Sequence, residues 1–173
     1  AIESICHLAE DVEVPGWLGE SAPFDIQQGL AQKNGLLDLA ATSPAARLHP
    51  STPQFFSTNG VDYEFSPDAG CDCFLEFLDS VWGDDPESIA TLQEWFGYCL
   101  TPETGQQKLA MMIGPKRSGK GTIADVLAQV VGSSNVAAPT LSSLPGQFGL
   151  WPLIGKSLAI IGDARLSLSL IHI

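Results

Sequence analysis

Basic residues are scarce in this sequence. Eight lysines and arginines stand against 20 aspartates and glutamates, for a net charge of −12 at pH 7. That balance excludes a chain whose whole surface tracks a nucleic-acid backbone, because like charges repel. Cysteine is scarce as well. "CDC" at 71–73 lacks the CxxC spacing of a zinc site, and Cys6 and Cys99 stand far from it. His7, His49 and His172 are too scattered to complete a metal site. The cysteines therefore read as reduced thiols of a cytosolic protein. No apolar run approaches the ~18 residues of a membrane span, so no membrane partner is expected. The opening "AIESICHLAEDVEV" is acidic and has no basic n-region, which argues against a signal peptide. The chain starts at Ala1 and stops in the apolar "LSLSLIHI". Both ends read as cuts, so the expectation is a fragment of a longer protein.

The few basic residues are unevenly placed. Residues 1–107 hold 18 acids and two bases, Lys33 and Arg47; residues 108–173 hold six bases and two acids. The two parts carry −16 and +4, which together give the net −12. Opposite balances suggest two modules, and any polyanion should meet the second. Three of the eight bases, Lys116, Arg117 and Lys120, fall within five positions of "MMIGPKRSGKGTIADVL", residues 111–127.

The pattern along the chain explains that concentration. "FDIQQGLAQKNG" reads as a short helix with Asn34-Gly35 as its C-cap, and "LLDLA" as a short strand. Residues 42–70 are rich in Pro, Ser and Thr and read as irregular chain with one or two strands, such as "VDYEF". "CDCFLEFLDSVWG" places Phe74, Phe77, Leu78 and Val81 on one helical face, and "DDPESIATLQEWFGYCL" does the same with Ile89, Leu92, Trp95, Phe96 and Cys99. Acids and Pro86 open the second helix. "QQKLAMMIG" reads as a buried strand, "GKGTIADVLAQVVG" as an amphipathic helix stopped by Gly132, and "KSLAIIGDARLS" as a second apolar strand ending at Asp163.

Gly114, Gly119 and Lys120 fit the phosphate-loop pattern GxxxxGK. Glycines let successive backbone N–H groups point inward, and the next helix aims its positive N-terminus at the same point. Lys120 adds a full charge for the terminal phosphates, and a hydroxyl with a carboxylate holds Mg²⁺. The pattern is short enough to arise by chance. A strand before it, a helix after it and Asp163 ending a later strand are the context the mechanism needs. The common pattern has Ser or Thr directly after the lysine; here Gly121 intervenes and the hydroxyl is Thr122. Lys116 and Arg117 sit on the loop itself, either adding charge near a nucleotide or facing solvent.

Several stretches together resemble the C-terminal half of phage and plasmid primase–helicases, which carry a superfamily 3 helicase domain. They are "GLLDLA", "HPSTPQFFSTNGVDYEFSPDAGC", "DDPESIATLQEWFGYCLTPETGQQK", "GPKRSGKGTIADVL" and "FGLWPLIGKSLAIIGDARLS", in the family's order from about residue 35 to 167. The resemblance implies an α/β fold: a P-loop NTPase core with a truncated parallel sheet, preceded by a small helical domain. It divides the chain into an irregular linker region with short strands (1–65), the helical domain (66–105) and the first half of the ATPase domain (106–173). Gly114, Pro115, Lys116, Arg117, Ser118, Gly119, Lys120, Gly121 and Thr122 would form the ATP-binding loop. Lys120 and Asp163 would be catalytic, and Thr122 and Asp163 would bind Mg²⁺. ATP and Mg²⁺ are the implied cofactors. The implied partners are single-stranded DNA and further copies of the chain in a hexameric ring, and the implied place is the cytoplasm of a bacterial host.

The family commonly shows two acids at the end of the second strand, whereas Ala164 follows Asp163 here. The residue polarising the attacking water is therefore not identified. The family's sensor strand, arginine finger and DNA-contacting loops would follow "DARLS", where this chain reads "LSLIHI". The expectation is a chain that binds ATP weakly and does not unwind DNA alone. Rival readings are a small-molecule kinase built on the GKGT loop and a non-catalytic adaptor carried by the acidic N-terminal part.

Overall fold

The computed structural model describes residues 29–43, 46–55, 57, 60–101 and 105–162. Five strands and three α-helices are defined there. β1 (Gly29–Gln32) and β2 (Gly35–Asp38) form an antiparallel hairpin, with Leu30 opposite Leu37 and Gln32 opposite Gly35; β3 (Leu48–His49) adds to β2. The helix expected up to Asn34-Gly35 is thus corrected for residues 29–35, and its first part lies outside the described residues. Asn-Gly serves hairpin turns as readily as helix ends. Burial decides here, because pairing the two segments encloses Leu30, Leu36 and Leu37. Gly35 has φ 148°, and a Cβ there would collide with the His49 carbonyl oxygen. Asn34 fixes the turn from outside: its Nδ2 donates to the Phe65 carbonyl at 2.9 Å, and its Oδ1 accepts from the Phe65 N–H at 3.1 Å.

"VDYEF" is not a regular strand, contrary to expectation. It bends at Asp62 and Tyr63 but still runs beside β1. Val61 N–H donates to Ala31 at 2.9 Å, Lys33 N–H donates to Tyr63 at 3.3 Å, and Gly60 bridges Ala31. Side chains explain the location. Val61 is buried with Leu30 and Leu37, while the exposed Asp62 reaches Lys33 at 2.9 Å, an ion pair of small energetic weight.

The helices fall where the apolar spacing puts them. α1 spans Asp72–Trp82 and encloses Leu78 most completely. α2 spans Pro86–Leu100. Asp85 caps it: Oδ1 accepts from the Ser88 N–H at 3.1 Å and Oδ2 from the Ser88 hydroxyl at 2.6 Å. These bonds favour the ionised carboxylate and hold Asp85 below the usual range. α3 spans Lys120–Val131 and buries Ile123, Leu127 and Val131. Gly132 ends it with φ 88°. Cys99 of α2 packs with Leu127 and Val131 of α3, and Leu100 touches both this cluster and the one around Leu30, Leu37 and Val61. The sheet, the helical pair and α3 therefore share one continuous interior.

β4 (Val136–Ala137) and β5 (Leu158–Ala159) pair in parallel, and Ile160 N–H extends the ladder to Ala137 at 2.9 Å. The second apolar strand is thus present only as two residues and one further bond. The expected buried strand before Gly114 is corrected outright. Residues 106–113 carry no strand, and Leu109, Met111 and Ile113 are each more than 70% exposed. An apolar run becomes a buried strand only where neighbours take its backbone groups, and no described strand does so here. No helix of the described residues is long and apolar enough to cross a membrane.

One polar residue ties the interior together. Asn135 is 7% exposed, and its Nδ2 donates to the Gly60 carbonyl at 2.8 Å and to the Val131 carbonyl at 2.9 Å. Asn135→Ala removes both bonds and leaves two carbonyls enclosed, so it should lower stability by about 1–3 kcal/mol. A urea midpoint unchanged from that of the unsubstituted protein would reject this clamp. Burial also pushes the Cys99 thiol up to about 11, whereas Cys71 and Cys73 are exposed. At pH 8 iodoacetamide should label Cys71 and Cys73 well before Cys99, as read by mass spectrometry of the digested protein. A folded pKa raised this way contributes stability that is intact below the unfolded thiol pKa and is lost as pH rises through about 11.

Candidate phosphate site

The loop from 114 to 119 turns twice through the left-handed region, at Arg117 (φ 63°) and at Gly119 (φ 83°). Glycine takes that conformation without steric cost, whereas arginine does not. The turn ends at the first residue of α3. Ile123 N–H donates to the Gly119 carbonyl at 3.0 Å, closing the first helical turn. The N–H groups of Lys120, Gly121 and Thr122, which precede that bond, face no earlier turn, as at every helix start. They form the positive end of α3.

Lys120 closes the loop upon itself. Its ammonium donates to the Gly114 carbonyl at 2.9 Å, the Pro115 carbonyl at 2.7 Å and the Ser118 hydroxyl at 3.0 Å. The three acceptors share one cation, so the loop is drawn around the lysine head. A Cβ on Gly114 would lie 2.9 Å from Ser118 Oγ, so a side chain there would require the serine hydroxyl to turn away. Gly121 differs. Nothing lies within 4 Å of a Cβ placed on it. Space therefore does not demand glycine at the position where the common pattern has a hydroxyl.

A cleft of about 920 Å³ opens beside the loop, bounded by residues 116–122 on one side and by Phe77, Ser80 and Val81 of α1 on the other. Both Lys116 and Arg117 line it while remaining exposed. The alternatives left open by the sequence are therefore not exclusive: the two side chains stand in solvent at the rim of the cleft. No acidic side chain of the described residues bounds it. A second cleft of about 490 Å³ adjoins it at the C-terminal end of α1, and there Asp79, Asp84 and Asp85 gather. An anion arriving at α1 thus meets a cationic cleft next to an acidic one.

Sequence spacing foretells the loop residues Gly114 to Thr122, and the structure brings them together at the head of α3. Asp163 lies outside the described residues. No group of three or more His, Cys, Asp or Glu side chains fit to hold a metal ion occurs among the described residues. Two hydroxyls border the cleft on the loop side, that of Ser118, which accepts from Lys120, and that of Thr122. The α1 wall is the part that sequence reasoning missed. Phe77 and Val81 belong to the apolar face of α1, and that face reads as core. No sequence signal separates them: only the structure shows Leu78 enclosed and Phe77 and Val81 half-buried beside the loop.

No protein-family model matches the chain. A 79-residue stretch is 30% identical to an uncharacterized mitochondrial protein, ymf21, of Marchantia polymorpha. The aligned stretch covers 46% of this chain and 44% of that protein, so the chain spans under half the length of the relative it matches.

Proposed function

We propose that this chain is the nucleotide-binding part of an ATP-driven DNA helicase of the primase-associated, superfamily 3 type. The observation that carries the reading is the loop itself: a glycine turn, a lysine head gathered at its centre and a helix N-terminus directly behind it. An ATP polyphosphate would take the place of the Gly114 and Pro115 carbonyls around Lys120. The lysine keeps its bonds and exchanges neutral acceptors for charged ones, which are roughly twice as strong. The first amides of α3 meet the same phosphates. Lys116 and Arg117 at the cleft rim raise the local positive potential of a chain that is otherwise strongly acidic.

In this reading Thr122 and Asp163 hold Mg²⁺, which bridges the phosphates and neutralises charge as the bond to the terminal phosphate breaks. Hydrolysis then drives motion of a homo-hexameric ring along single-stranded DNA. The place follows the DNA. It is a bacterial cytoplasm for a phage or mobile element, and the Marchantia similarity adds the mitochondrion as a second compartment.

The test is nucleotide binding. A fluorescent ATP analogue with Mg²⁺ should raise its anisotropy on titration with the protein. Lys120→Ala should weaken binding at least tenfold, in keeping with the ~1.5–3 kcal/mol of a hydrogen bond to a charged group. Equal affinity in a folded Lys120→Ala protein would reject the phosphate loop. Asp163→Asn keeps the side-chain shape and removes the charge that favours Mg²⁺. It should weaken binding in Mg²⁺ by more than it does in excess chelator. Equal losses in the two buffers would make Asp163 structural and not a metal ligand.

A further inference from the structure

We propose that Phe77 of α1 is a positioning residue for the phosphate loop, acting through Gly119. The inference rests on the phosphate-loop reading above and extends it to a residue outside the loop pattern. Gly119 stands between Ser118 and Lys120 in the left-handed conformation. A Cβ on it would lie 2.6 Å from Phe77 Cζ and 3.0 Å from Phe77 Cε2, with Val81 Cγ2 at 3.6 Å. The ring therefore fills the space that a side chain at position 119 would need.

The ring is itself held in place. Phe77 stacks on Phe74 with centroids 6.0 Å apart, and Phe74 stacks on Phe96 of α2 at 6.2 Å. A row of three rings thus runs from α2 through α1 to the loop. Phe77 also borders the cleft, together with Ser80 and Val81. On the other side of the loop nothing comparable occurs among the described residues. No backbone hydrogen bond ties residues 108–113 to another described residue.

Glycine has no preference between positive and negative φ. Something outside Gly119 must hold the one turn that points Lys120 and the first amides of α3 into the cleft. The Phe77 ring is packed against that residue and does so. Removing the ring frees Gly119 to leave the left-handed region, and the loop loses the shape that phosphates recognise. α1 then contributes to nucleotide affinity through the shape of the loop.

A double-substitution cycle tests this, with the fluorescent ATP analogue and Mg²⁺ as the probe and thermal melting as the check on folding. Phe77→Ala should weaken binding about tenfold, and Phe77→Leu, which keeps an apolar wall, by less than about threefold. Gly119→Ala suffers both the left-handed strain and the collision with the ring, and should weaken binding by about a hundredfold. Phe77→Ala combined with Gly119→Ala relieves the collision and keeps only the strain. The double variant should therefore bind about tenfold more tightly than Gly119→Ala alone.

The sign reversal is the decisive readout. One substitution weakens binding in the native background and strengthens it beside Gly119→Ala, whereas a residue with a merely structural role weakens it in both. Should Phe77→Ala fail to fold, Phe77→Leu completes the same cycle, because its shorter side chain also clears the Gly119 position. A double variant no tighter than Gly119→Ala overturns the proposal. So does unchanged affinity in Phe77→Ala. Failure of the unsubstituted protein to bind the analogue overturns the phosphate-loop reading, and this inference with it. Binding by the unsubstituted protein without the reversal overturns this inference alone.

Discussion

α3 is held at both ends by glycines whose backbone lies in the region closed to most side chains, Gly119 at φ 83° and Gly132 at φ 88°. The two ends do different work. At the C-terminal end, Gly132 brings the chain back so that Asn135 reaches the Val131 and Gly60 carbonyls, while Tyr63 donates its hydroxyl to the Val130 carbonyl at 2.6 Å. These contacts fasten α3 to the chain that runs beside β1. At the N-terminal end, Gly119 delivers Lys120 to the loop and accepts the Phe77 ring against its back. Between the ends, Ile123, Leu127 and Val131 form a buried stripe, and Leu127 and Val131 pack with Cys99 of α2. The helix that presents the positive end thus packs on the helical pair, whose Leu100 also meets the cluster of Leu30, Leu37 and Val61.

Electrostatics sharpen the same point. With an excess of 12 negative charges the chain repels polyanions at long range, and salt screens that repulsion over about 10 Å at ~0.1 M. Attraction must therefore come from short range, and the loop concentrates it. Three cationic side chains and a helix N-terminus share one cleft that no carboxylate of the described residues lines. The acidic cleft next door, with Asp79, Asp84 and Asp85, repels the same anions. A small polyanion such as a nucleotide fits within the cationic cleft. A long nucleic-acid backbone would run on into the acidic one. The charge of the described surface at this end of α1 therefore favours a small anion over a long one.

The parts legible in the sequence are those fixed by local periodicity. α1, α2 and α3 repeat apolar residues at helical spacing over 11 to 15 residues, and the Asp85–Pro86 start and the Gly132 stop are local signals too. The misread parts depend on partners distant in sequence. Leu30 and Leu37 become strand residues because they face each other, and Asn34 turns the hairpin because Phe65, 31 positions away, accepts and donates to it. "QQKLAMMIG" has a strand's composition without a strand's neighbours. At the candidate site, spacing located the loop but not the wall opposite. A half-buried phenylalanine on an amphipathic face looks the same whether it meets core or cleft. Only the position of Gly119 beneath it separates the two.

The exposed stretch before the loop gives the lysine closure its meaning. In a loop held by a paired strand, the position of Gly114 is set by the sheet, and the lysine head is free to meet a ligand. Here the backbone of residues 108–113 is unpaired among the described residues, with Ile113 87% exposed next to Gly114. The Gly114 end of the loop is therefore located by Lys120 itself, through the carbonyls of Gly114 and Pro115. In the proposed reading, the one ammonium group that fastens the loop is also its charge for phosphate. A polyphosphate that takes the ammonium must release those carbonyls. The loop then depends on the contacts that remain: the left-handed turn at Gly119, the ring behind it and the bonds from phosphate oxygens to the first amides of α3. Closure around the lysine and closure around a ligand are alternatives of the same loop. The helical pair, touching it through Phe77, stands on the side that does not let go.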